Sequence, residues 1–243
     1  ELVEIGSGAV RKIRLLLEAM QRADLLERCA LFDINHLFER ESVQSLAERF
    51  PKAKLRGLVG DFHHDLSSLG AGGQRLVIFL GSTIGNLAPK EVPPFLSALA
   101  RQLAPGDGFL LGVDLVKDAQ RLHDAYNDSA GVTDAFTLNL LRTVNERLAA
   151  DFDVSGFEHV ATWEPENAWI RIRLRATREM TVRIADADLE LSYSPGDEIQ
   201  TEISCKYTRA SLEQRVEGTG LGIDRWYTDP EDLFALALLR PVS

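Results

Sequence analysis

The residues best placed to do chemistry stand where short apolar runs end. Leu2-Val3-Glu4-Ile5 is followed at once by Gly6-Ser7-Gly8, and Cys29-Ala30-Leu31-Phe32 ends at Asp33. Leu55 to Val59 runs into Gly60-Asp61-Phe62; Leu76 to Leu80 runs into Gly81-Ser82 and on to Asn86; Phe109 to Val113 ends at Asp114. Glycines behind a strand permit a tight turn and let a ligand approach the backbone. An acid at the end of a second strand can accept two hydrogen bonds from ribose hydroxyls. Asp61-Phe62 offers an acceptor for an adenine amino group beside a stacking surface. Gly6-Ser7-Gly8 alone equally describes a structural turn, but the set describes an adenosine-type site. A nicotinamide dinucleotide wants a third glycine in G-x-G-x-x-G, and here that position is Arg11, whose bulk crowds the approach of a pyrophosphate. S-adenosylmethionine, which has no pyrophosphate, fits better. Lys12, one turn into the following helix, is either a partner for that donor's carboxylate or an ordinary solvated lysine.

The elements that must position these residues alternate along the first half of the chain. Ile13, Leu16, Leu17 and Met20 recur at helical spacing, as do Leu37, Val43, Leu46, Ala47 and Phe50 before Pro51, and Phe95, Leu96, Leu99 and Leu103. Strands alternating with helices predict βαβ units and a parallel sheet covered on both faces. Past Val116 the texture changes. Asp118 to Asn145 reads as helical and more polar, and from Trp163 to Ile199 the period drops to two, as in Trp169 to Arg175 and Leu189 to Tyr193, the mark of half-buried antiparallel strands. A helix from Ser211 to Gly218 and an apolar strand from Phe234 to Leu239 return to the first layer. The expected organisation is an α/β domain over residues 1–116 and 207–243 with an α+β insertion over 117–206.

The 243 residues carry 27 basic and 37 acidic side chains, a net charge of −10, which disfavours nucleic acid because phosphate neutralisation needs a basic face. No apolar run approaches the roughly 20 residues of a membrane span. His36, His63, His64, His123 and His159 share no ligand spacing, and Cys29 and Cys205 make neither a disulfide framework nor a metal motif, so no metal is expected. The chain opens on Glu1 within an apolar run, which reads as a trimmed N-terminus with no signal peptide. A cytoplasmic monomer acting on a small molecule is the expectation.

Longer strings sharpen this reading. Glu4-Ile5-Gly6-Ser7-Gly8, Asp33, Asp61-Phe62 and Pro105-Gly106-Asp107-Gly108 resemble the motifs of class I S-adenosylmethionine methyltransferases. Phe79 to Leu87 (Phe-Leu-Gly-Ser-Thr-Ile-Gly-Asn-Leu), Leu111 to Asp118, Tyr126-Asn127-Asp128, Ala130 to Thr133, Phe157 to Ala161 and Thr201 to Lys206 resemble, in the same order, the histidine Nα-methyltransferases of ergothioneine biosynthesis. The resemblance implies a Rossmann-like methyltransferase sheet with an inserted α+β substrate-binding domain, and three methyl transfers from S-adenosylmethionine that turn L-histidine into hercynine. It implies that Gly6, Lys12, Asp33, Asp61, Phe62 and Gly81 hold the donor. Asn86 and Tyr126, the implied catalytic residues, bind the α-carboxylate and place the amine, while Glu202 and Ser204 read the imidazole. Ile172 stands beside the ring where that family often has methionine, and the family's upstream substrate-contacting tyrosine would fall before Glu1.

Local pattern by itself reads some of these residues otherwise. It makes Asn86 a helix cap, Tyr126 half-buried packing, and Glu202, which alternates with Ile203, a solvent-facing strand residue. Other functions stay open at this level: methylation of another amino acid such as tryptophan, the methyltransferase part of a bifunctional enzyme, or a non-catalytic domain that binds S-adenosylmethionine.

Overall fold

The computed structural model describes residues 1–6 and 10–242; Ser7 and Gly8 of the first glycine turn lie outside the described residues. The chain divides into two compact units, Glu1–Leu115 with Tyr207–Ser243, and Val116–Lys206. In chain order the first unit opens with β1 (Leu2–Ile5), α1 (Arg11–Arg22), β2 (Arg28–Asp33), α2 (His36–Arg49), β3 (Lys54–Val59), β4 (Leu76–Phe79), α3 (Val92–Ala100) and β5 (Gly108–Asp114). The second unit contains α4 (Ala119–Tyr126), α5 (Val132–Leu148), β6 (Phe157–Glu164), β7 (Trp169–Ala176), β8 (Met180–Ile184), β9 (Leu189–Tyr193) and β10 (Glu198–Cys205). The chain then returns to the first unit with α6 (Arg209–Val216), β11 (Leu221–Thr228) and β12 (Phe234–Pro241).

The first unit is built on a seven-stranded sheet in the order β11-β12-β5-β4-β1-β2-β3. β1 pairs in parallel with both β2 and β4, and its four residues are all buried, which is why the run reads as continuously apolar except for Glu4. Ile13 and Leu17, one turn apart on α1, pack with Leu2, Leu31 and Ile78. The order places the ends of β1 and β4 side by side at the point where the succession of strands reverses, the place where open α/β sheets bind ligands.

The expectation of a parallel sheet holds for β1 to β5 and fails at β12, the one reversed strand of the seven. β12 inserts antiparallel between β5 and β11, and β11 is a strand that the sequence pattern does not announce. The reason is local: the register slips between Ile223 and Arg225, and a bulged strand breaks the alternation by which it would be recognised.

The second unit has a three-stranded antiparallel sheet, β10-β7-β6, and a β8-β9 hairpin. β7 alternates strictly: Ile170, Ile172, Leu174 and Ala176 are buried, while Arg171, Arg173 and Arg175 lie on the opposite face. There Arg173 and Arg175 donate to Glu198, and Arg171 donates to Gln200. The single helix expected over Asp118 to Asn145 is two helices, because residues 127–131 break it. Gly131 takes a φ of 67°, and the Asp128 carboxylate receives the N–H groups of Val132 and Thr133 at the start of α5. Hydrogen bonds from the Thr133 hydroxyl and from these N–H groups hold the Asp128 carboxyl down to about 2.

The Pro105-Gly106-Asp107-Gly108 turn has a structural task. Asp107 is fully buried and its carboxylate accepts backbone N–H groups from Gly73, Arg75 and Ala104 at 2.8–3.1 Å. Asp107→Ala would strand three buried donors, so it is expected to lower stability by about 2–4 kcal/mol, measurable as a shift in the urea midpoint with an unchanged slope; a shift of a few tenths would contradict this anchoring role.

Candidate active site

At the carboxyl edge of the first unit, β1 ends at Gly6, which takes a φ of 64° and donates its N–H to Phe32 O at 2.8 Å. Gly81, behind β4, takes a φ of 77°; a Cβ there would come within 2.6 Å of Lys12 Nζ, so this glycine leaves the room that the lysine side chain uses. Asp33 closes β2, accepting the Asn35 N–H at 2.9 Å. Gly60 N–H in turn donates to Asp33 O, which ties the β3 end to the β2 end. Asp61 accepts the His63 N–H, and Phe62 sits edge-on to Phe79 and Phe95 with His63 stacked at 4.6 Å. The donor-end residues proposed by pattern therefore share one edge of one sheet. Asn86 belongs to this unit too. It ends the short 3-10 turn Thr83–Asn86 and is exposed. That turn is set by Ser82, which takes the left-handed conformation while its hydroxyl receives the Asp114 N–H.

Glu4 was legible as part of a motif but not as a site residue. It is 4% exposed, and among the described residues Oε2 has no hydrogen-bond partner. Burial raises its carboxyl from 4.5 to about 8; nearby Lys12 pulls it back and Asp33 pushes it further up.

The second unit carries Tyr126, Ile172, Glu202 and Ser204. Tyr126 is the last residue of α4, and three bonds fix the chain there. His159 Nε2 donates to Tyr126 O at 2.8 Å, and Asn127 Nδ2 donates to both His123 O and Ala161 O. The Tyr126 hydroxyl and Ser204 Oγ are 2.8 Å apart, and Lys206 Nζ donates to Tyr126 Oη at 2.7 Å and to Ser204 Oγ at 2.8 Å. Tyr126, Ser204 and Lys206 thus form one hydrogen-bonded cluster. Ile172 is buried with Ile170, Ala161 and Leu122, and Tyr126 packs against this group.

Glu202 does not face open solvent, contrary to the alternation argument. A bulge between Gln200 and Glu202 resets the register so that Glu202 lies opposite Ile172 and Ser204 opposite Ile170. Glu202 and Ser204 then share the sheet face occupied by Ile170 and Ile172, which Leu122 and Tyr126 of α4 cover. Burial raises the Glu202 carboxyl above its ordinary value, and Lys206 partly reverses this. Beside Glu202 opens a cavity of about 350 Å³, lined by Phe136, Thr137, Asn139, Leu140 and Thr143 of α5 and by Thr201. Phe136 is 72% exposed there. Lys206, at the hydrogen-bonded cluster, and Phe136, at the cavity, are residues to which local pattern gave no role.

This strand order, with ligand-ready turns at its carboxyl edge, defines a Rossmann-like class I methyltransferase that uses S-adenosylmethionine. A solved S-adenosylmethionine-dependent methyltransferase from Clostridium acetobutylicum shares the fold at 9% identity, covering 100% of this chain and 84% of that one with a TM-score of 0.57. The sequence narrows the class: a family described as histidine-specific, S-adenosylmethionine-dependent methyltransferase matches residues 1–241, and the chain belongs to that family. A histidine N-alpha-methyltransferase of Mycolicibacterium smegmatis is 45% identical over 237 residues, 98% of this chain and 74% of that protein. Ergothioneine biosynthesis protein 1 of Neurospora crassa is 31% identical over 248 residues, 98% of this chain and 28% of that much longer protein. Among the described residues no group of three or more His, Cys, Asp or Glu could hold a metal, and no helix is long and apolar enough to cross a membrane.

The buried Glu4 has a consequence for stability. Between pH 4.5 and about 8 the folded chain keeps a proton on Glu4 that the unfolded chain has lost, so the contribution of this group falls as the pH rises through that window. Urea unfolding at pH 6 and pH 8.5 should show the wild type losing stability relative to Glu4→Gln as the pH rises; parallel pH profiles would place the Glu4 carboxyl in water.

Proposed function

We propose that the chain trimethylates the α-amine of L-histidine to hercynine, with its first unit holding the donor and its second reading the amino acid. S-adenosylmethionine, when bound, supplies an electrophilic methyl group on a sulfonium. The residues present suit such a cation-bearing nucleoside. Glu4 offers a buried carboxyl with no partner for Oε2 among the described residues, whose ionised form a nearby cation would favour, Asp33 suits ribose hydroxyls, Asp61 and Phe62 suit the adenine, and Gly6 and Gly81 keep the backbone approachable. Lys12 reaches the Gly81 turn, where a carboxylate of the donor can meet it.

The observation that carries the substrate reading is the spacing on β10. Glu202 and Ser204 are two residues apart on one strand face, about 6.6 Å, so both side chains can converge on one imidazole ring. In this reading Glu202 accepts an imidazole N–H, and Phe136, Leu140 and Ile172 supply apolar surface around the ring. Ser204 joins Glu202 at the ring, and Tyr126, hydrogen-bonded to Ser204, receives the α-carboxylate.

The chemistry asks mainly for alignment. A neutral amine attacking a sulfonium only redistributes charge, and orientation can supply about 7–11 kcal/mol of such a barrier. The α-amine, with a pKa of about 8 in peptide models, must lose a proton before each attack. Each transfer also removes an N–H donor, so a grip on the amine itself would fail after the first methyl. Holding carboxylate and ring leaves the nitrogen free to be methylated repeatedly in one place. A phenyl or indole ring would leave the half-buried Glu202 carboxylate imperfectly paired, at a cost of about 1–3 kcal/mol.

Two substitutions test the division of labour. Glu202→Gln should raise the KM for histidine about tenfold or more while the donor KM changes by less than about twofold; Asp33→Ala should weaken donor binding about tenfold with the melting temperature unchanged. Competition of histidine against tryptophan for the wild-type chain decides the substrate, and a preference for the indole would overturn the assignment.

A further inference from the structure

The amino edge of the first unit's sheet, opposite the glycine turns, gathers positive charge in a chain whose net charge is −10. Arg28 begins β2, Lys54 begins β3, Arg56 follows on β3, and Arg75 stands just before β4; with Glu1 they line a cavity of about 560 Å³. Arg28 and Lys54 are register partners on neighbouring parallel strands, whose backbones run about 4.8 Å apart. Lys54 and Arg56 are two residues apart on β3 and so share a face. Like charges side by side on a sheet are destabilising, and Glu1 brings the only carboxylate among the described lining residues.

That carboxylate is already matched. Arg75, whose side chain is buried, donates from Nε to Glu1 Oε2 at 2.7 Å. Its other donors go to the carbonyl oxygens of Leu69, Gly70 and Ala71 at 3.0–3.1 Å, so Arg75 shapes the cavity wall and has no N–H to spare for a ligand. Arg56 comes within 3.3 Å of Glu1 Oε1 and Arg28 only within 4.0 Å, while Lys54 makes no ion pair among the described residues. Gly70 and Gly73 also line the cavity, and a Cβ at either would meet nothing within 4 Å, so the backbone there is open to approach. Arg28, Lys54 and Arg56 thus surround a small-molecule-sized space with positive charge that one shared carboxylate does not balance.

We propose that this cavity is a second ligand site, for a small diphosphate-type anion, separate from the donor site at the carboxyl edge of the same sheet. Guanidinium groups present forked N–H donors that match phosphate oxygens, and the Lys54 ammonium adds a point charge. One phosphate group carries about −1.5 to −2 charge near neutral pH, so two joined phosphates answer three cations where a single carboxylate does not. This site is independent of which amino acid the second unit reads.

The test is calorimetric titration with pyrophosphate, with and without saturating S-adenosylhomocysteine. It compares the wild type, the double variant Arg28→Gln with Lys54→Gln, and Arg22→Gln, which removes an exposed arginine of α1 outside the cavity. The wild type should bind one pyrophosphate per chain, about tenfold or more tightly than citrate, and within about twofold of the same affinity when S-adenosylhomocysteine is present. The double variant should lose about tenfold or more, and Arg22→Gln should stay within about twofold of wild type. No binding of pyrophosphate, citrate bound as tightly, an equal loss in Arg22→Gln, or displacement by S-adenosylhomocysteine overturns the proposal. Binding of S-adenosylhomocysteine within about twofold of wild type certifies the fold of each variant. Should the double variant fail this, Lys54→Gln alone, at an exposed position, must weaken pyrophosphate about threefold or more.

Discussion

A polar group taken out of water must find a partner, and this demand shapes the chain at several depths. Asp107 meets it within the first unit by gathering three backbone N–H groups, and so closes the turn into β5. Lys206 meets it in the second unit by giving hydrogens to two hydroxyls. Glu4 does not meet it fully: one carboxylate oxygen has no partner among the described residues.

The second unit shows how recognition can be assembled from a flat strand. One bulge before Glu202 places this residue and Ser204 on the face that α4 covers, and Lys206 follows to stand behind Ser204. Tyr126 arrives from the end of α4, held there by His159 and Asn127, while Asp128 and Gly131 start the next helix. The strings Tyr126-Asn127-Asp128 and Ala130 to Thr133 are therefore the frame of one hydroxyl group as much as they are a pair of helix ends.

Much of this was legible before any coordinates. Apolar runs ending in Gly6, Asp33, Asp61 and Gly81 announced parallel strands, since a fully buried strand must be continuously apolar. The strict period of β7 announced an antiparallel insertion. What escaped were features that depend on register and on cover. β11 was lost because its bulge spoils the alternation, and the break between α4 and α5 was lost because residues on both sides are helix-compatible. Glu202 looked solvent-facing because strand alternation says which residues share a face, not which face is covered.

The sequence by itself determined the class, the parallel strands with their glycine and acidic ends, and the family, because strand ends, glycines and long ordered strings are one-dimensional signals. Only the tertiary structure decided that Tyr126, Ser204 and Lys206 form a single hydrogen-bonded cluster, and that Glu4 is buried with one oxygen that has no partner among the described residues. The physical reason is that partners 78 and 80 residues apart meet through packing and register, and neither is written in local composition.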